Sequence, residues 1–282
     1  MTSIYTMTFS ILVIVIQIKI LLALLNKPIS LSLTLPLEKL ENFSSSNNEF
    51  GAFYINVKRS KLRNVKTLET FALFQPLVRI EAVTPSHIVP ELRDMCGDAT
   101  DLELACSLSH LKAIKTAYVS GVENALIIED DVIIYRIPDM EKLIHTAPKN
   151  WEILQLLTLD YRTYYKKHVW VRHTDKQYTA AVYLINRQGM KKVLDRYINE
   201  DGTYNQMNLD QVKTLNCAAD YLIYKGVNAY TCTDLFFGVQ TQESTLHTIH
   251  LLDQKYCMER IKKMFDEYGY KLPDVTGTQP WH

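Results

Sequence analysis

The chain has 282 residues, enough for one large domain or two small ones with a full core. Hydrophobic residues make up 47%, and 31 basic side chains balance 31 acidic ones. That balance gives no general attraction to nucleic acid, so that class of partner is set aside. The five cysteines, Cys96, Cys106, Cys217, Cys232 and Cys257, have neither Cys-x-x-Cys spacing nor disulfide-scaffold density, and they read as small buried hydrophobes.

The first element is apolar. Ile4 to Leu25, IYTMTFSILVIVIQIKILLALL, would reach roughly 33 Å as a helix, about the hydrocarbon thickness of a bilayer. Gln17 and Lys19 inside the run oppose a span, although a Lys towards one end can snorkel. No basic residue precedes the run, so the positive n-region of a secretory signal is missing. Residues 1–25 are therefore expected to be an uncleaved single-pass anchor that associates the protein with a membrane, with a targeting segment or a soluble leader as the alternatives. Residues 26–50, with Pro28, Pro36 and the run Ser44 to Asn48, have the composition of a linker.

Residues 51–282 form the globular part. Short apolar runs alternate there with segments of helical period, the pattern of an α/β domain with a mostly parallel central sheet. Gly51 to Val57 reads as the first strand. Arg59 to Phe74 reads as an amphipathic helix, with Leu62, Val65, Leu68, Phe71 and Ala72 on its apolar stripe. Leu77 to Val83 is a second strand. Leu104, Leu108, Leu111, Ile114 and Tyr118 mark the clearest helix, stopped by Gly121. Ala125 to Val132, Trp151 to Leu157, His168 to Arg172 and Ala180 to Ile185 follow as strands, and Met190 to Tyr197 as a helix. Asp201 to Asn208 reads as a polar loop, while Ala219 to Tyr224 and Tyr256 to Tyr268 read as helical.

The stretch ALIIEDDV carries the chemistry. Strands of a parallel sheet are continuous apolar runs, and ligands gather beyond their C-terminal ends, so Glu129, Asp130 and Asp131 belong at the sheet's ligand edge. Strand alternation would place Glu129 and Asp131 on one face and Asp130 on the other. Three adjacent anions repel one another, and a hard divalent cation would relieve them. Oxygen donors favour Mg²⁺, Mn²⁺ or Ca²⁺ over zinc, and no Cys or His pair sits beside them. An acidic turn or N-cap is the plain alternative, but the flanking residues ALII and VII lack turn character. Asn56, Arg59 and Arg63 follow the first strand, where a nucleotide docks in such sheets and where Arg suits phosphate.

Four blocks in order resemble glycosyltransferase family 25, which includes bacterial lipopolysaccharide and collagen galactosyltransferases. Tyr54-Ile55-Asn56-Val57 with Arg59 and Arg63 resembles "INLxRxxxR", and Glu103 to His110 resembles "GExGCxxSH". Ala125 to Val132 resembles "ALILEDDV", and Ala180 to Gly189 the "GTxAYLISRxG" block. Lys58, Ala105 and Tyr178 depart from the family's usual residues, as does Ala219 before Asp220, where a Pro often stands.

The resemblance implies a single GT-A-type domain and inverting transfer of a hexose, most plausibly galactose from UDP-galactose, onto a glycan or a hydroxylated protein or lipid acceptor. It implies Mn²⁺ or Mg²⁺ held by Asp131 with Glu129, the counterpart of the family's DxD element, and Asp130 toward ribose or sugar hydroxyls. Asp220, matching the family's late Asp, is the expected base that takes the acceptor proton, with an N-cap as its plain reading. Asn56, Arg59, Arg63, Ser109, His110 and Gln240 complete the expected nucleotide-sugar site. Ser109 and His110 interrupt an apolar helix face, so a satisfied place in the core suits them equally. The rival reading is a catalytically inactive module that keeps the fold for binding.

Overall fold

The computed structural model describes residues 49–88, 90, 93, 99–165, 169–199, 218–240 and 248–267. The anchor expected in residues 1–25, nearly all of the expected linker, Cys96, Cys217 and the expected loop Asp201 to Asn208 lie outside the described residues. Among the described residues, no helix is long and apolar enough to cross a membrane.

The protein is a mixed α/β structure. Strands β1 (Phe50–Asn56), β2 (Leu77–Glu81), β3 (Asn124–Glu129), β5 (Ile153–Gln155), β6 (Trp170–Arg172), β7 (Val182–Asn186) and β8 (Ala229–Cys232) form one sheet. Its order is β2-β1-β3-β7-β5-β8-β6. β4 (Val132–Ile134) and β9 (Phe237–Val239) pair antiparallel in a separate ribbon. In the large sheet β1, β2, β3, β5 and β8 run one way and β6 and β7 the other, so the sheet is mostly parallel.

Alternation along the central strands divides the core in two. Phe53 and Ile55 of β1 and Ile127 of β3 face one layer, where α2 (Asp101–Ser120), α4 (Arg187–Tyr197) and the single turn α5 (Ala219–Leu222) supply Leu108, Leu111, Met190 and Leu222. Ala52 and Tyr54 of β1 and Leu126 and Ile128 of β3 face the other. That layer takes Phe71 from α1 (Lys61–Phe71), Leu143 from α3 (Met140–Thr146) and Ile261 from α6 (Thr248–Glu267). With both faces covered, the strands need the near-continuous apolar runs seen in their sequences.

The boundaries of α2 follow from local chemistry. Thr100 caps it and forms a reciprocal capping box with Glu103, satisfying two otherwise orphaned amides. Gly121 ends it at φ 85°, a left-handed conformation that glycine adopts without strain.

Two expectations change. In α1 most of the expected apolar stripe points outward: Leu62 is 81% exposed, Val65 and Leu68 are also exposed, and of its large residues Phe71 alone is buried. The inward face is Arg63, Thr67 and Phe71, at spacing i, i+4, i+8, because Arg63 pairs with Asp130 and Phe71 fills the core. Second, ALIIEDDV is not one strand. β3 ends at Glu129, the chain turns at Asp130 and Asp131, and Val132 opens the β4–β9 ribbon. Alternation therefore governs the apolar run and stops at the first carboxylate.

Candidate active site

The turn after β3 sends its carboxylates into different surroundings. Asp130 is held on all sides: Asn56 Nδ2 donates to Oδ2 at 2.7 Å and Arg63 Nη1 to Oδ1 at 3.0 Å. Arg79 Nε steadies Asn56 by donating to its Oδ1 at 3.0 Å. The Thr67 hydroxyl lies 3.3 Å from the Asp130 carbonyl. Burial raises the Asp130 pKa above the usual carboxylate range, and the Arg63 charge opposes that rise.

Asp131 has a different environment. Its Oδ1 is buried with no hydrogen-bond partner. Burial, reinforced by the charges of Glu129 and Asp130, pushes its pKa up to about 8. Its carbonyl accepts from the Gln240 backbone N–H at 2.8 Å, which ties the turn to the end of β9. A buried carboxylate oxygen without a donor is costly unless a proton or cation meets it. A carboxylate oxygen of this kind is a donor that suits a hard divalent ion.

Glu129 lines a cleft of about 1020 Å³ together with Glu103, Cys106, Thr179, Asp220 and Tyr224. Its Oε1 lies 3.0 Å from His110 Nε2 and 3.9 Å from the Cys106 sulfur. The His110 ring is fully buried, and its Nδ1 lies 3.2 Å from the Tyr183 hydroxyl. Burial first, then the carboxylates of Glu129, Asp220 and Asp131, raise the Cys106 thiol well above its ordinary pKa. The expectation that no Cys or His pair neighbours the triplet is thus corrected. Cys106 and His110 stand one helical turn apart on α2, and the packing of α2 on β3 brings both to Glu129.

Asp220 sits in the first turn of α5, whose N-cap is Ala218, so Asp220 is not the cap residue. Its Oδ2 accepts from the Thr179 backbone N–H at 3.3 Å. Burial raises its pKa, and the Thr179 bond opposes the rise. Thr179 has φ 89°, a left-handed conformation that is costly for a β-branched residue. It is held there by Gln155, whose Nε2 donates to the Thr179 carbonyl at 2.7 Å, and by the Tyr224 hydroxyl at 3.3 Å.

The remaining expected residues divide by accessibility. Ser109 is buried: its Oγ donates to the Ala105 carbonyl and accepts from the Val83 N–H. The side-chain polar atoms of Asn56 are engaged inside the protein, and Arg63 and His110 are engaged likewise with Asp130 and Glu129. Arg59 is exposed just beyond the C-terminal end of β1.

Sequence reasoning missed Thr179, Gln155 and Tyr183. Gln155 did leave a signal, a lone amide inside the apolar run WEILQLL. Thr179 left none, since a strained φ has no compositional mark.

Residues 51–213 match the model of glycosyltransferase family 25 (LPS biosynthesis protein). No curated protein matches the chain. Among solved structures it is similar to a glycosyltransferase involved in the glycosylation of the major capsid of PBCV-1, at 10% identity over 75% of this chain and 99% of that one, with a TM-score of 0.36. It is also similar to the WbbM bifunctional glycosyltransferase, at 8% identity over 77% of this chain and 45% of that one, with a TM-score of 0.38. A Drosophila β-1,4-galactosyltransferase 7 mutant in complex with manganese, UDP-Gal and xylobiose is 8% identical over 72% of this chain and 79% of that one, with a TM-score of 0.31.

Proposed function

The chain belongs to glycosyltransferase family 25 and is a glycosyltransferase, and on that premise we propose that it transfers a hexose by a metal-dependent, inverting reaction in a GT-A-type domain. The donor is a nucleotide sugar, UDP-galactose by the family resemblance, and the acceptor is a hydroxyl of a glycan, protein or lipid. The observation that carries this reading is that Glu129 and Asp220 line one cleft, while Asp131, two residues along the chain from Glu129, keeps a buried oxygen without a partner.

In this mechanism Asp220 is the base. The acceptor oxygen attacks the anomeric carbon while its proton passes to the Asp220 carboxylate. The bond from that carbon to the diphosphate breaks, and the diphosphate leaves with the electron pair. A carboxylate whose pKa is raised by burial is a stronger base than one in water. The Thr179 N–H orients that carboxylate, and Gln155 and Tyr224 hold Thr179.

Asp131, with Glu129, is the pair that would hold Mn²⁺ or Mg²⁺; the bound ion supplies charge neutralisation for the departing diphosphate. Arg59, exposed at the strand end, is the residue we assign to the donor phosphates, and Gln240 borders the turn at Asp131. Asn56, Arg63 and Asp130 support the donor site from behind by fixing the turn, and Ser109 and His110 fix α2 and Glu129. Residues 4–25 tether the enzyme to a membrane.

The test is a binding screen of UDP-, GDP- and CMP-sugars with and without Mn²⁺, followed by turnover of the best donor. Binding of a UDP-hexose that requires Mn²⁺, with turnover lost in Asp131→Ala, is the expected result. Silence across the whole screen, or wild-type turnover in Asp131→Ala, would overturn it.

A further inference from the structure

We propose that Cys106, His110 and Glu129 form a binding site for a borderline divalent cation of the zinc class, with one coordination position open to the cleft. The proposal does not depend on the transferase reading. Three observations carry it.

The first is geometry. One ligand atom from each of the three residues lies within 4.8 Å of the other two. Tetrahedral zinc with ordinary bond lengths places an imidazole nitrogen and a carboxylate oxygen roughly 3.3 Å apart, and a thiolate sulfur and that oxygen roughly 3.5 Å apart. The observed separations are 3.0 Å and 3.9 Å. Shifts of a few tenths of an ångström would bring those two separations to the ideal, and the sulfur and the imidazole nitrogen lie within 4.8 Å of each other.

The second is support. A ligating His commonly has its other ring nitrogen held by a hydrogen bond, which fixes the ring. His110 Nδ1 has the Tyr183 hydroxyl at 3.2 Å, and the ring is fully buried. A ring nitrogen and a carboxylate oxygen at 3.0 Å require a proton or a cation between them, so the position facing Glu129 is one that a cation can take from a proton. Cys106 and His110 at i and i+4 on α2 belong to a rigid, doubly capped helix rather than to a loop.

The third is access and charge. Cys106 and Glu129 both line the cleft, so an ion can enter without the helix opening. Asp220, which lines the same cleft, adds negative charge that acts on Cys106. This donor set differs in kind from the pair assigned to Mn²⁺, because thiolate and imidazole select zinc-class ions whereas carboxylates alone select hard ones. Glu129 is common to both sets, so zinc at this site withdraws it from Asp131.

The test uses Co²⁺ as a spectroscopic stand-in for zinc on the full chain in detergent, after chelator treatment. One equivalent of Co²⁺ is expected to produce thiolate-to-cobalt charge-transfer absorption, bleached by Zn²⁺. The band is expected to persist in Asp131→Asn and to vanish in Cys106→Ser. Tyr183→Phe is expected to weaken binding about 10- to 100-fold, the usual loss when a ligand's supporting hydrogen bond is removed. Absence of the band from the wild-type protein would overturn the proposal whether or not the variants fold. A band that persists in Cys106→Ser would overturn it equally, by assigning the thiolate to another cysteine.

Discussion

Asp130 and Asp131 are neighbours in sequence, identical in chemistry and both raised in pKa by burial, yet one has a donor on each oxygen and the other has a buried oxygen with none. Asp130 has an amide on one oxygen and a guanidinium on the other, so its charge is part of the scaffold. The buried oxygen of Asp131 has no partner, and burial with the charges of Glu129 and Asp130 keeps the carboxyl protonated. Adjacent carboxylates in one turn can thus differ in their surroundings, one fastening α1 to the sheet and the other keeping a buried oxygen without a donor.

The largest effects should fall on the open side. Asp220→Asn is expected to lower kcat by about 10²- to 10⁴-fold with an unchanged melting curve, measured by donor turnover beside a thermal scan. Asp131→Asn should cost about 10²- to 10³-fold in turnover while making the metal-free protein more stable. An Asp131→Asn protein that melts lower than wild type in chelator would break the comparison, because it would mean that Asp131 also serves the scaffold.

Asp130→Ala should behave in the opposite way. It leaves Arg63 facing a largely buried gap, the two side chains being only 15% and 10% exposed. Unfolding in urea should show a loss of about 2–3 kcal/mol, below the 3–5 kcal/mol of a fully buried pair. If Asp130→Ala lost activity and kept its stability, the carboxylate would belong to the donor site.

The pH dependence sharpens the same contrast. Folded Asp131 keeps its proton to about pH 8, whereas an unfolded carboxylate releases it near 3.8. Between these values the folded state binds more protons than the unfolded one, so stability falls as pH rises through that window. Melting in chelator from pH 4 to pH 8 should reveal the fall, and it should flatten in Asp131→Asn. The smallest effect is expected for Arg79→Gln, which removes one donor from Asn56 at a cost of about 1 kcal/mol in urea unfolding.

Much of the fold was legible because its signals are local. The stripe Leu104, Leu108, Leu111, Ile114 with Gly121 marked α2, and the apolar runs marked β1, β3 and β7, since both faces of those strands are buried. The orientation of α1 was not legible. Its apolar residues have helical spacing, but Asp130 draws Arg63 inward from 67 residues away, and Leu62 and Val65 turn to solvent. Strands β8 and β9 were missed because each is short and takes its partner from a distant part of the chain.

For the site, the sequence by itself determined which chemical groups are available: three carboxylates at the end of an apolar strand, a Ser-His pair one helix earlier, and an Asp far downstream. Only the tertiary structure decided their duties. It ended the strand at Glu129, so alternation no longer sorted Asp130 from Asp131, and it laid Cys106 and His110 against Glu129. It also used Asn56 and Arg63 to satisfy one acid while leaving an oxygen of its neighbour unpartnered. Residue type fixes what a side chain can donate or accept, whereas the cost of leaving it unpaired depends on burial and on groups that lie close only after folding.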